Sequence, residues 1–346
     1  MKIFISTDNP LLSDRKGAAS VNPLVRMLQR EKYEILIASP EDYWGAPMPM
    51  SGGKKLSFPF GLQQSLKSFQ PDAVHIITEG TLGLAARQAC LDLQIPFTTE
   101  YKRRKSATGV LKGALATIST SYSKWFHGPS SRVLCQSAGT ATSAQELGIA
   151  QKERISIVER GVDAAVFRPP FWKKSSPHVH GKKLLCVSSF DKDSGAHLFC
   201  ELSEHGYECT ILGHGPLFPG LKKKFPKVRY KGSYDHVQCA SEMRDHSILV
   251  SPIAAEEEDN LMPEANSCGL PIVALPTESA RRWIDGGRNG ICAEGFEFEH
   301  LLKAVGEAFA QCSPKEACGA VRSYSWENSS RRFVAQLERI PSSFYS

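Results

Sequence analysis

The sequence predicts an α/β protein made of two doubly wound parallel sheets. Three observations predict it. Short runs rich in β-branched and aromatic residues alternate with segments whose apolar residues recur at helical spacing. The rhythm stops once, at Phe167–Lys183 ("FRPPFWKKSSPHVHGKK"), which is rich in Pro, Ser and Lys and has no period. It then restarts, and strand–helix–strand alternation of this kind argues for parallel sheets covered by helices. A chain of 346 residues also suits two domains better than one core.

In the first half, "KIFIS" (Lys2–Ser6) reads as a strand and "NPLVRMLQRE" (Asn22–Glu31) as a helix. "YEILIASP" is a strand ended by proline, "FGLQQSLKSF" a helix, and "PDAVHIIT" a strand. "GLAARQACLDLQ" is a helix, "IPFTTEY" and "SSRVLCQS" are strands, and "AGTATSAQELG" is a helix ending at glycine. "ISIVERGVD" (Ile155–Asp163) closes the half. After the break come strands at "KLLCVSSF", "YECTILGHGP", "VRYKGS", "SILVSPI" and "LPIVALP". Helical segments lie between them at "GAHLFCELSEHG", "GLKKKF" and "VQCASEMRDH", and two more follow at "FEHLLKAVGEAFAQC" and "SWENSSRRFVAQLERI". Ligands of open α/β sheets sit beyond the C-terminal ends of the strands, so two such domains can offer those ends to one central cleft.

Composition narrows the class. No run of 18 apolar residues is present, which argues against a transmembrane helix. "MKIFISTDNP" lacks the apolar centre of a signal peptide. None of the ten cysteines forms a CxxC pair, so we read them as reduced and buried, and the protein as cytoplasmic. The formal net charge is +6, with basic clusters at "YKRRK" (Tyr101–Lys105, continuing to Lys112), "FWKK" and "GLKKKFPK". Such clusters meet phosphate groups, on an anionic membrane surface or a charged acceptor, or they are solvated loops. No nucleic-acid motif accompanies them, so nucleic acid is not an expected partner.

The segment Ser251–Pro276 carries the most chemistry. Four acids stand in a row at Glu256–Asp259, a fifth at Glu264, and then Gly269 and an apolar strand follow. A carboxylate accepts two hydrogen bonds from adjacent sugar hydroxyls, strengthened by its charge. A helix opening near Asn260 would put Pro263 in its first turn, where a missing N–H costs little, and end at Gly269.

Ordered matches then carry a resemblance. They are "DAVHIITEGTLGLAARQAC" (Asp72–Cys90), "WFHGPSSRVLCQSAGTATSAQELGI" (Trp125–Ile149), "ERGVDAAVFRP" (Glu159–Pro169), "LGHGP" (Leu212–Pro216), "EANSCGLPIVA" (Glu264–Ala274) and "YSWENSSRRFVAQL" (Tyr324–Leu337). Together the set resembles the retaining glycosyltransferases of family 4, in the branch of GDP-mannose-dependent α-mannosyltransferases and sulfoquinovosyl- and digalactosyl-diacylglycerol synthases.

The resemblance implies the GT-B fold. It implies an N-terminal acceptor-side domain over residues 1–168, a linker at 169–183 and a donor domain at 184–324. A C-terminal helix, about 325–346, would pack back onto the first domain. It implies transfer of a hexose from a nucleotide diphosphosugar, GDP- or UDP-linked, to a lipid or glycan acceptor. No protein nucleophile and no metal is implied, so "DKD" (Asp191–Asp193) is not read as a metal site. The protein would lie on the inner face of a membrane, with the basic run 102–112 towards the lipid.

By position, Glu256 would contact the donor hexose and Glu264 the ribose, with Asp259, Asn260 and Leu261 touching sugar and phosphate between them. Lys192 would bind the diphosphate, Gly17 the donor through the first β–α loop, and Gly213 and His214 would lie near the base. Glu79, Arg103 and Arg104 fall on the acceptor side. The chain departs from the family at three places. Lys102 replaces a histidine that approaches the sugar. Ser189 stands where the family has an arginine, with Arg160 as its candidate replacement. Glu258, Asp259 and Asn260 stand where the family has Phe-Gly-Leu. A non-catalytic sugar-nucleotide-binding homologue would carry departures of the same kind.

Overall fold

The computed structural model describes residues 1–9, 18–47, 55–102, 112–170, 181–188, 190–191, 194–253, 260–284 and 288–338. It divides into two units, Met1–Gly161 with Trp326–Ser346, and Val162–Ser325.

The first unit contains β1 (Lys2–Ser6), α1 (Ala18–Arg30), β2 (Glu34–Ala38), the hairpin β3 (Gly45–Pro47) and β4 (Lys55–Ser57), and α2 (Leu62–Phe69). It continues through β5 (Ala73–Ile76), α3 (Thr81–Asp92), β6 (Phe97–Tyr101), α4 (Lys112–His127), β7 (Arg132–Cys135), α5 (Ala138–Glu146) and β8 (Ile155–Ile157). The six-stranded sheet runs β2-β1-β5-β6-β7-β8, with every pair parallel.

The second unit contains β9 (Lys183–Val187), α6 (Ala196–Glu201), β10 (Glu208–Leu212), α7 (Phe218–Lys224), β11 (Arg229–Tyr230), α8 (His236–Asp245) and β12 (Ile248–Ser251). It continues through α9 (Leu261–Ser267), β13 (Ile272–Ala274), α10 (Glu278–Trp283), β14 (Gly290–Cys292), α11 (Phe298–Gln311) and α12 (Pro314–Ala320). Its sheet, β11-β10-β9-β12-β13-β14, is again parallel throughout. The last helix, α13 (Trp326–Leu337), returns to the first unit.

Side-chain alternation explains both faces of the first sheet. Ile3, Ile5, Ile77 and Leu134 point to the face where Val25 and Leu28 of α1 meet Phe333, Val334 and Leu337 of α13. Phe4, Val74, Ile76 and Phe97 point to the other face, against α2, α3 and Phe126 of α4. The amphipathic "WENSSRRFVAQL" thus completes a layer begun more than 300 residues earlier by α1.

The units part at Gly161–Val162, ahead of the 169–183 stretch that composition marks as the linker. Val162 and Phe167 belong to the core of the second unit, and the Val162 N–H donates to the Tyr324 carbonyl at 2.8 Å. The Pro-rich residues 171–180 lie outside the described residues.

α4 has no counterpart among the predicted elements, because its "ATISTSYS" centre is rich in Ser and Thr and weakly periodic. Tertiary anchors hold it. Arg87 donates to the Trp125 and Phe126 carbonyls, and Arg154 to those of His127, Gly128 and Ser130. Two cations therefore satisfy the carbonyls that the helix end leaves open. The ten cysteines are free thiols. Among the described residues no helix is long and apolar enough to cross a membrane.

Candidate functional site

In the second unit, the loops after β9, β10 and β12 press backbone against backbone. Gly213 follows β10 at φ +142°, and a Cβ there would lie 1.7 Å from the Ser188 carbonyl oxygen in the loop after β9. Gly195, at φ +63°, backs onto the Pro252 carbonyl after β12, and a Cβ would sit 1.8 Å from it. Neither site has room for a side chain, and both conformations suit glycine. The loop after β9 is further pinned by Phe190, fully buried at φ +37° and stacked edge-on against Phe218. A bulky residue keeps such a backbone only where packing over-determines it. Gly213→Ala is therefore expected to destabilise the protein by about 1–3 kcal/mol or more, read from urea unfolding. An unchanged midpoint would refute the close packing.

The acidic segment meets its helix as the spacing predicts. α9 begins at Leu261, with Pro263 and Glu264 in its first turn. It ends in a Schellman motif. The Gly269 N–H donates to the Asn266 carbonyl and the Leu270 N–H to that of Ala265, both at 2.9 Å, with Gly269 at φ +70°.

The Asn266 side chain, fully buried, locks the base of this helix. Its amide nitrogen donates to the Leu270 and Asn289 carbonyls, and its oxygen accepts from Trp283 Nε1 and Asn289 Nδ2. Every hydrogen-bonding position of that amide is used, so α9 is held rigidly beside β13. His214 is exposed on the loop after β10, with its ring 6.1 Å from that of Phe218.

Gly17, Arg103, Arg104, Ser189, Lys192, Glu256 and Asp259 lie outside the described residues. Gly213, His214, Asn260, Leu261 and Glu264 all belong to loops or helix starts beyond the C-terminal ends of the second sheet's strands.

In the first unit, Glu79 follows β5, but its carboxylate turns inward towards α4. It accepts from Ser123 Oγ at 3.0 Å and pairs with His127 Nε2 at 3.1 Å, while His127 Nδ1 meets Thr99 Oγ1 at 2.7 Å. These contacts make Glu79 the anchor of a buried histidine. The start of α3 is likewise occupied. Asp8 accepts from Thr78 Oγ1 at 2.6 Å and from the Leu82 N–H at 2.9 Å, capping the helix across the sheet. A Cβ at Gly80 would lie 2.5 Å from that carboxylate, which is why the helix opens on glycine.

Lys102 and Arg160 fall in one polar cluster. Glu100 lies two residues before Lys102 and pairs with its ammonium at 3.1 Å. Gln136 Nε2 donates to the same carboxylate oxygen, and His75 Nε2 stands 3.9 Å from the other. A cavity of about 40 Å³ beneath α13 is lined by Glu100, His75 and Gln136 together with Arg160, Trp326 and Phe333. Burial pushes the Glu100 carboxyl up, but Lys102, the His75 hydrogen bond and Arg160 outweigh it. The group is held well below the usual carboxylate range.

A depressed folded-state pKa contributes stability above the unfolded value, about 4.3, that is lost as pH falls towards the folded value. The stability gap between the wild type and Glu100→Gln is thus expected to be constant near neutrality and to close on acidification. Urea titrations at several pH values would read it, and a gap that widens towards acid would refute the pairing.

Sequence reasoning missed Glu100 and Asp8, and gave His75 no role beyond its strand. The available signal was an ionisable residue inside a predicted strand, Glu100 in "FTTEY" and His75 in the otherwise apolar "AVHI".

A family model described as Glycosyltransferase Family 4 matches residues 17–166, and one described as Glycosyl transferases group 1 matches residues 181–311. The chain is 25% identical over 300 residues to a GDP-mannose-dependent alpha-mannosyltransferase of Corynebacterium glutamicum, spanning 81% of this chain and 72% of that relative. It is 22% identical over 348 residues to a protein of the same description from Mycolicibacterium smegmatis, spanning 88% of each. Among solved structures, Anabaena Alr3699/HepE in complex with UDP and glucose superposes with a TM-score of 0.69 at 12% identity, over 98% of this chain and 99% of that one. Sucrose-phosphate synthase from Thermosynechococcus elongatus gives 0.73 at 13% identity, over 98% of both chains. At such identities the structural likeness is one of fold, the two-domain α/β GT-B fold.

Proposed function

We propose that this chain, which belongs to the family 4-like glycosyltransferases, moves a hexose from a nucleotide diphosphosugar to a lipid or glycan acceptor with retention of configuration. One observation carries the reading. Glu264, the last acid of the run, opens a rigidly anchored helix at the C-terminal edge of a parallel sheet. In open α/β sheets that edge is where nucleotides bind.

In this reading Glu264 takes the ribose diol and Glu256 the donor hexose. Lys192 stabilises the diphosphate, Lys102 approaches the sugar, and Arg160 supplies the cation that Ser189 does not. Gly17, Gly213, His214, Asp259, Asn260 and Leu261 frame the donor, and Arg103 and Arg104 the acceptor side. The leaving diphosphate itself takes the acceptor proton, so the protein contributes orientation and charge stabilisation rather than a nucleophile. The donor is GDP- or UDP-linked. This is supported by relatives described as GDP-mannose-dependent and by HepE in complex with UDP. Residues 101–145 contain Lys102, Arg103, Arg104, Lys105, Lys112, Lys124 and Arg132 and no Asp or Glu, which favours an anionic surface near the acceptor, on the inner face of a membrane.

A non-catalytic sugar-nucleotide-binding protein is the competing reading, favoured by the departures at Lys102, Ser189 and Glu258–Asn260. Thermal shifts with GDP, UDP, ADP and their sugars, followed by turnover assays with the best donor, separate the two. Binding with turnover supports transfer. Binding with no turnover of any donor, in the presence of lipid and glycan acceptors, refutes it.

A further inference from the structure

Glu100 is a half-buried acid for which donor binding as proposed has no task. Its side chain is 14% exposed, and its neighbours arrive from four segments: Lys102 from the end of β6, His75 from β5, Gln136 after β7 and Arg160 after β8. Stability alone does not account for it, since apolar groups of similar volume commonly serve a core as well as a buried ion pair. Residues two apart on a strand share a face, so Glu100 is placed to grip Lys102 specifically. A lysine needs such a grip, because its four-carbon stem samples many rotamers.

We propose that Glu100 is a positioning residue of the transfer reaction, fixing the Lys102 ammonium at the C-terminal edge of the first unit's sheet. The inference rests on the reading in which Lys102 approaches the donor sugar. Glu100 touches no substrate; it acts through Lys102.

The test is nucleoside diphosphate release from GDP-mannose and UDP-glucose, using whichever is turned over, by the wild type, Glu100→Gln, Glu100→Asp, Lys102→Met and the Gln/Met double variant. Glu100→Gln is expected to lower kcat about 10–100-fold while donor KM stays within about three-fold. Glu100→Asp should recover part of that loss. The double variant should be no slower than Lys102→Met alone, because removing Glu100 costs nothing once its partner is gone. Wild-type kcat in Glu100→Gln, or losses that add in the double variant, would overturn the inference and leave the proposed function standing. Wild-type kcat in Lys102→Met would remove the role of Lys102 and the inference together, as would a wild type that turns over neither donor. If Glu100→Gln does not fold, Glu100→Asp decides: its displaced carboxylate should lower kcat, and an unchanged kcat overturns the proposal.

Discussion

The Glu264→Ala variant is expected to show no thermal upshift with GDP, UDP or their sugars at concentrations that stabilise the wild type. A carboxylate on a ribose diol makes two charge-assisted hydrogen bonds, each contributing about 1.5–3 kcal/mol. Losing both weakens binding roughly 10²–10⁴-fold. Ligand at a hundred times Kd stabilises the wild type by about 2.7 kcal/mol, and almost none of that survives such a loss. The variant should keep its fold, because other groups hold both ends of the α9 anchorage. Its C-terminus is closed by the Gly269 motif and its base is held by the Asn266 amide. The ligand-free Tm is the internal control and should stay close to the wild-type value. A variant with that Tm and a full upshift would remove Glu264 from the donor site.

The alternation of strand and helix was legible because parallel strands are buried on both faces and read as apolar runs. "KIFIS", "AVHI", "KLLCV" and "ILVS" became central strands for that reason. The start of α9 was legible too, since Pro263 and Gly269 each have one conformational use at a helix end. What periodicity could not carry was anything fixed at long range. α4 holds its shape through Arg87 and Arg154, which lie 38 and 24–27 residues away along the chain. Asp8 caps a helix 74 residues downstream. Only the packing of α4 shows that the Glu79 carboxylate meets His127 and Ser123. Composition marked the boundary between units late, because Phe167 looks like the start of a linker while its side chain is a core group of the second unit.

A chain cut after Ser325 is expected to lose the native first unit, although among the described residues the deletion removes no strand of either sheet. Trp326, Phe333, Val334 and Leu337 are each at most 7% exposed, and three of them meet Ile3, Ile5, Ile77 and Leu134 on the sheet. Burying each such side chain stabilises the fold by about 1.5–3 kcal/mol, so α13 contributes roughly 6–12 kcal/mol. A domain's whole stability is about 5–15 kcal/mol. The cut would also open the polar cavity holding Glu100 and His75, since Phe333 lies edge-on to the His75 ring with centroids 4.9 Å apart. The expected outcome is aggregation, with loss of near-ultraviolet dichroism and of hydrogen-exchange protection in β5, β6 and β7. Phe333→Ala is the graded form, expected to cost about 3–5 kcal/mol in urea unfolding while leaving the chain folded. A truncated chain that stays soluble, with those three strands still protected, would show that the sheet does not need α13.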